Sequence, residues 1–338
     1  MLQTVSLAEL AHRFRSDLSH LEQVAAVYPC RISSYYAGLI TAPDDPIWRQ
    51  CVPSVEELDD TVQLLDPLDE ERLSPVPGLI HRYPDRAVLL VSNRCATYCR
   101  FCMRKRKVGC SGGESDLPAA YAYIAATPQL RDIILSGGDP LMLPDDELHQ
   151  ILSTLRRIPH VEIIRIGSRI PVTDPSRITP ALCRMLAEHH PLYLNTHFNH
   201  PMELTPEAAR ACSLLADAGI QLGNQTVLLK GVNDDSLTMQ KLLTGLLRLR
   251  VRPYYLHQMD LVRGTAHFRT PLEQGRQLIG SLRGRVSGMA IPHFVIDLPG
   301  GRGKVPVLPD TLQRDGEVWL VQTSNGEWVR YTDPVWLT

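Results

Sequence analysis

From residue 87 onward, short apolar runs alternate with longer stretches in which apolar positions recur every three or four residues. The runs occupy residues 87–91, 133–135, 162–166, 192–195, 225–229, 254–257 and 294–296. They are too short for helices and rich in β-branched residues, so they read as strands. Residues 145–157, 179–189, 205–218 and 236–249 carry the helical period instead. Strand and helix in repetition predict parallel pairing through right-handed crossovers, in a barrel or an open doubly wound sheet. The chain before residue 87 has another character. Ser6-Leu7-Ala8-Glu9 fits a capping box at the head of a helix, more helix is expected over residues 54–65, and Pro67, Pro75, Pro77 and Pro84 punctuate the approach to the first strand.

Polar and glycine-bearing segments decide between barrel and open sheet, because they follow almost every strand. They are Cys95 to Cys102, Ser136-Gly137-Gly138-Asp139-Pro140, Gly167-Ser168-Arg169, His197-Phe198-Asn199-His200, Gln258-Met259-Asp260 and the stretch from Asp297 to Lys304. Chemistry gathered at the carboxyl ends of many strands is the mark of a TIM-like barrel, full or partial. The expected architecture is therefore α/β: a helical N-terminal region over 1–80, a partial TIM-like (β/α)6 barrel over 81–298, and a short C-terminal segment over 299–338.

Composition narrows the partners. With 44% hydrophobic and 21% charged residues, 338 residues suffice for a full core, and a formal charge of −2 provides no field for nucleic acid. No apolar run approaches the roughly 20 residues of a membrane helix, and no basic flank and apolar signal core open the chain, so a cytoplasmic protein acting on a small molecule is expected. Eight cysteines are too sparse for a disulfide scaffold, and three of them fall within eight positions, which points to a metal.

Those three, Cys95, Cys99 and Cys102, have C-x3-C-x2-C spacing directly after a strand. Three thiolates in one tight loop can hold three corners of a [4Fe–4S] cluster and leave the fourth iron open to a substrate. A structural zinc would need a fourth ligand, for which only Cys110 stands near. The spacing resembles that of radical S-adenosylmethionine (SAM) enzymes, in which the open iron chelates SAM and an electron from the cluster generates a 5′-deoxyadenosyl radical. Ser136, Gly137, Gly138 and Asp139 resemble the segment that contacts the SAM methionine in those enzymes.

Lys304 closes the run Pro299-Gly300-Gly301-Arg302-Gly303-Lys304. P-loop spacing is absent, and Val305 stands where a hydroxyl would bind Mg²⁺. A lysine on a flexible, open loop is suited instead to a Schiff base with an aldehyde cofactor. Around it lie His81-Arg82-Tyr83-Pro84-Asp85-Arg86, Asn195-Thr196-His197-Phe198-Asn199-His200-Pro201, Gly223-Asn224-Gln225, Gly231-Val232-Asn233-Asp234 and Arg252-Pro253-Tyr254-Tyr255. Together these motifs, over residues 78 to 310, resemble the lysine 2,3-aminomutase family.

That resemblance implies three cofactors, a [4Fe–4S] cluster, SAM and pyridoxal 5′-phosphate (PLP), and a radical 1,2-amino migration converting L-lysine to β-lysine. It implies that Lys304 holds PLP, with Arg82, Tyr83 and Arg86 near the phosphate, and that Ser168, His197 and Gln225 contact SAM or PLP. It gives Arg104 the substrate carboxylate, and Asp260 and Asp297 the ε-ammonium of lysine. An electron donor is required, and a homo-oligomer is compatible. Four alternatives stay open at this point: β-lysine made for modification of elongation factor P, arginine as substrate, an RNA-modifying radical SAM enzyme whose basic run from Arg100 to Lys107 grips phosphates, and a non-enzymatic iron–sulfur binding protein.

Overall fold

The computed structural model describes residues 2–60, 63–110, 115–316 and 318–331. The N-terminal region opens with a two-residue strand, β1 (Thr4–Val5), paired antiparallel with β2 (Ile32–Ser33). Helix α1 (Leu7–Phe14) starts where the sequence indicates: the Glu9 amide donates to Ser6 Oγ at 3.2 Å and the Ser6 amide to Glu9 Oε2 at 2.7 Å, which satisfies two free N–H groups of the first turn. Helices α2 (Leu18–Val27), α3 (Ser34–Gly38), α4 (Pro46–Cys51) and α5 (Glu56–Asp59) follow. The helix expected over 54–65 is thus a single turn. Its continuation fails because Glu57 points inward to two buried cations and Leu64 bridges to Val262, which draws the chain out straight; residues 61 and 62 lie outside the described residues.

The main sheet has nine strands: β3 (Leu79–Tyr83), β4 (Arg86–Ser92), β5 (Asp132–Gly137), β6 (Ile163–Gly167), β7 (Leu192–Thr196), β8 (Gln221–Leu228), β9 (Arg252–Gln258), β10 (His293–Leu298) and β11 (Gly303–Pro306). Strands β4 to β10 run parallel in sequence order, and β3 and β11 close the two edges antiparallel. Outside them pack α6 (Leu117–Ala125), α7 (Asp145–Arg156), the short α8 (Ile170–Thr173), α9 (Pro180–Ala187), α10 (Pro206–Asp217), α11 (Ser236–Arg248) and α12 (Leu272–Leu282). On α7 the buried positions Leu148, Ile151, Leu152 and Leu155 form one stripe, as an amphipathic helix over a sheet requires. A separate antiparallel sheet, β12 (Leu312–Asp315), β13 (Val318–Gln322) and β14 (Trp328–Tyr331), ends the described chain, and residues 332–338 of the expected C-terminal segment lie outside it. Among the described residues, no helix is long and apolar enough to cross a membrane.

The period of two along each strand divides core from site. On β5, Ile133 and Leu135 join the apolar layer under the helices, while Asp132, Ile134 and Ser136 line an interior cavity. The two sheet edges are joined by side chains rather than by a ladder: the Tyr83 hydroxyl on β3 accepts from the backbone N–H of Lys304 on β11 at 2.9 Å, and Arg82 pairs with Asp297 on β10 at 2.9 Å. Lys304 is therefore not on a flexible loop. The turn over 299–302 keeps that role, with Gly300 and Gly301 at positive φ, and it folds β11 back onto β10 so that Lys304 lies opposite Asp297 in register.

Candidate active site

The interior cavity measures about 790 Å³, within the size range of small-molecule sites. Its lining brings together eight of the residues singled out from sequence: Arg82, Tyr83, Arg86, Arg104, Ser136, Gln225, Asp297 and Lys304. Each projects from the inner face of a strand or from the loop after one.

Lys304 Nζ donates to Asp297 Oδ2, lies 3.2 Å from His257 Nδ1 and sits over the Tyr255 ring, 5.1 Å from its centroid. Burial pushes the Asp297 carboxyl up, but the neighbouring His257, 3.5 Å away, and the charge of Lys304 outweigh it and hold the group far below the usual carboxylate range. Asp260, just outside the cavity lining, has no such donor. Burial and the negative charge of Asp297 raise it to about 7.

Across the cavity, Arg104 is gripped by Glu70, which takes Arg104 Nε on both carboxylate oxygens at 3.0 and 3.1 Å and Nη2 on Oε1 at 2.8 Å. Its Nη1 reaches the Ser136 hydroxyl at 3.1 Å. Glu70 is 3% exposed, so an ion pair this close is the only state in which both groups can remain charged. The guanidinium of Arg86 stacks over the Tyr83 ring at 4.2 Å, and Arg165 is tied to Asp132 at 2.8 Å, so cationic groups converge on the same wall.

The cysteine loop lies beside this cavity, fastened to the N-terminal region. The Tyr98 amide donates to Arg31 O at 2.8 Å and the Arg100 amide to Gln50 O at 2.9 Å, and the Arg100 side chain is buried against Glu57. Among the described residues, the sulfurs of Cys95, Cys99 and Cys102 are not gathered within 4.8 Å of one another. One tetrahedral zinc would hold its sulfurs about 3.8 Å apart, given Zn–S bonds of about 2.3 Å. Three thiolates on one loop can instead each be taken by a different iron of a cluster.

Gly137 and Gly138 pass against this loop so closely that a Cβ would fall 2.3 Å from Ser92 O and 2.5 Å from Arg94 O. Asp139, raised by burial to about 6, accepts from Ser168 Oγ and the Arg169 amide, both at 2.7 Å. Asp139 and Ser168 thus also bind each other and fix the loops after β5 and β6. His197 is buried with Nε2 unpartnered; burial and then the charge of Arg169 keep it neutral, and its ring lies 5.5 Å from Phe101.

Three residues that shape the site were not read from the sequence as functional. Glu70 lies in the proline-punctuated stretch, where no periodicity marks it. His257 was an ordinary strand position, although its inward phase on β9 follows from the period of two. Arg169, which donates to Cys99 Sγ at 2.8 Å and to Glu203 at 2.8 Å, stood within a motif that drew attention only to its serine.

Comparison with known proteins follows the same lines. Residues 89–243 match the Radical SAM superfamily model and residues 279–334 the model described as Lysine-2,3-aminomutase. The chain is 51% identical over 310 residues to the L-lysine 2,3-aminomutase of Fusobacterium nucleatum, covering 90% of this chain and 73% of that protein. It is 49% identical over 311 residues to the L-lysine 2,3-aminomutase of Clostridium subterminale, covering 90% and 75%. To the glutamate 2,3-aminomutase of Clostridioides difficile it is 41% identical over 334 residues, covering 97% and 79%.

Proposed function

This chain belongs to the lysine 2,3-aminomutase family of radical SAM enzymes, and from that premise we propose that it converts L-lysine to β-lysine by moving the α-amino group to the neighbouring carbon. When bound, the iron–sulfur cluster and SAM supply the radical that removes a hydrogen atom, and PLP supplies a π-bond over which the nitrogen can migrate.

The chain's own residues provide the attachment points. Cys95, Cys99 and Cys102 hold the cluster, with Gly137 and Gly138 admitting SAM close to the backbone and His197 offering its free nitrogen. Ser136, Asp139, Ser168 and Gln225 complete that side. Lys304 takes PLP through its amine, among the aromatic rings of Tyr83, Tyr254 and Tyr255, while Arg82 and Arg86 answer the phosphate. Arg104 binds the substrate carboxylate as a fork held in place by Glu70. The proposal places the reaction in the cytoplasm and requires an electron donor for the cluster.

One observation carries the choice of substrate: Asp297 in the cavity wall offers a carboxylate that already holds an ammonium. Asp297 already binds an ε-ammonium, that of Lys304, and Asp260 lies within its electrostatic reach. A lysine side chain supplies the same group, whereas a glutamate side chain would bring a third carboxylate. The test is to incubate the anaerobically reconstituted protein with each amino acid and analyse for β-amino products. L-Lysine should yield β-lysine and L-glutamate nothing. Turnover of glutamate without turnover of lysine would overturn the substrate and leave the chemistry standing.

A further inference from the structure

We propose that His257 is a second catalytic residue, the base that takes a proton from the Lys304 ammonium so that Lys304 can capture the PLP aldehyde, and that later returns it. The inference rests on the reading that Lys304 holds PLP.

Capture is an exchange of bonds without oxidation. The Lys304 nitrogen bonds to the aldehyde carbon, the carbon–oxygen bond breaks, and the oxygen leaves as water. Of the three protons on the ammonium, one stays on nitrogen and two leave with the water, so none is consumed. The first must depart before the nitrogen has a lone pair with which to attack. The acceptor must stand within hydrogen-bond reach.

His257 Nδ1 stands there, 3.2 Å from Nζ. Asp297 Oδ2 contacts both nitrogens, hydrogen-bonded to Nζ and 3.5 Å from Nδ1. Its charge therefore balances a cation on either one, and the proton can cross from lysine to histidine without breaking an ion pair. The other groups that face His257 are poor acceptors. Asp297 is itself held far below the usual carboxylate range, against burial, by His257 and Lys304, and Arg82 pairs with its other oxygen. Tyr255, packed 5.4 Å from the His257 ring, is a phenol raised further by burial. His197 is buried and acts on His257 only at a distance, and Asp260 makes no hydrogen bond to Nζ. Burial, and then the charge of Lys304, lower His257 from its ordinary value, so it is neutral and able to accept at pH 7.

The test follows covalent capture, not turnover. PLP is mixed with the purified full chain, borohydride is added after timed intervals, and the adduct is located and quantified by mass spectrometry. His257→Gln should slow capture at pH 7 by about 10²-fold, the lower end of what a positioned base contributes, and reach the same final occupancy of Lys304. In the unaltered protein the rate should rise with pH to a plateau as His257 loses its proton, and the variant should lack that limb. His257→Ala leaves a gap, and added imidazole should restore its rate in proportion to concentration. Capture by His257→Gln within about twofold of the parent rate would overturn the proposal. So would loss of final occupancy, which would make His257 part of the binding site and no proton carrier. Failure of the unaltered protein to trap PLP at Lys304 would instead overturn the reading on which the inference rests.

Discussion

Replacing Glu57 by glutamine should destabilise the protein by about 3 kcal/mol and empty the iron site, although Glu57 touches neither cavity nor cysteine. Glu57 is fully buried, and its Oε2 takes both Arg100 Nη2 and Lys105 Nζ at 2.5 Å while Oε1 takes Arg100 Nε at 2.8 Å. Removing one partner of a buried ion pair costs about 3–5 kcal/mol, because the other charge stays in a poor dielectric. Two cations are stranded here, but they respond differently. Burial, opposed by Glu57, already brings Lys105 down to about 8, so stripping its proton at pH 7 costs only about 1.4 kcal/mol, and less once the acid is gone. Arg100 cannot shed its proton and keeps only its bonds to Pro29 O and Tyr28 O. The estimate therefore falls at the lower end of the range, still a large share of the roughly 5–15 kcal/mol of a folded domain.

Urea unfolding followed by circular dichroism measures the loss, and iron content after anaerobic reconstitution measures the effect on the loop. The pH dependence has a definite sign. A lysine whose folded pKa lies below its unfolded value binds fewer protons when folded, so stability rises with pH between the two. In the variant that interval starts lower than in the parent, and the deficit should narrow from pH 6 to pH 8. A deficit under about 1 kcal/mol, or one that widens over that interval, would refute the reasoning.

Gly138→Ala should lose most of its iron, since the new Cβ would lie 2.5 and 2.6 Å from backbone atoms of Arg94, next to Cys95; parent-level iron would show that the loop has room to move. Cys99→Ser should fail to assemble the cluster and Cys110→Ser should assemble it normally, as judged by iron and sulfide analysis; equal iron in both would sink the cysteine assignment. Lysine binding to the PLP-loaded protein should strengthen from pH 6 to pH 8 and, at pH 7, release about half a proton from Asp260, which titrates near 7 while free and must ionise to pair with an ammonium. Calorimetry in buffers of different ionisation enthalpy detects that proton; heats that do not vary with buffer, or a release that persists in Asp260→Asn, would count against the role of Asp260.

The barrel was legible because the short apolar runs of its strands stand out against helices of clear period. Residues 79–83 were not, since prolines on either side read as loop and a histidine, an arginine and a tyrosine interrupt the run. They form β3 because a tight turn at Pro84 and Asp85 lays them antiparallel on β4, a tertiary pairing with no local signature. The helix expected over 54–65 failed for a related reason. Val55 and Leu65, which the helical pattern counts as apolar, are exposed, and Glu57, which it counts as polar, is buried. Burial there follows charge pairing, which hydrophobic period does not encode. The same blindness hid Glu70 and His257, each defined by a partner far away in the chain: Arg104 for one, Lys304 for the other.

Those partners suggest how the site stays folded before its ligands arrive. Two of the three charges assigned to the amino-acid substrate are matched inside the protein, Arg104 by Glu70 and Asp297 by Arg82 and the ammonium of Lys304, while Asp260 is raised to about 7 instead. Left bare, either would be a buried charge costing several kcal/mol. The two pairs differ in permanence. Glu70 grips the Nε edge and one Nη2 bond of Arg104, so it can hold the fork while the second N–H of Nη1, whose first goes to Ser136, faces a carboxylate. Lys304, by contrast, gives up its ammonium when its nitrogen is joined to the cofactor. Asp297 then keeps Arg82 on Oδ1 but holds a poorer hydrogen-bond donor at Oδ2, where a substrate ε-ammonium can pair with it. Selection for a basic side chain would on this account be coupled to cofactor capture: the lysine that takes the cofactor gives up the charge pairing that the substrate's own terminal ammonium supplies.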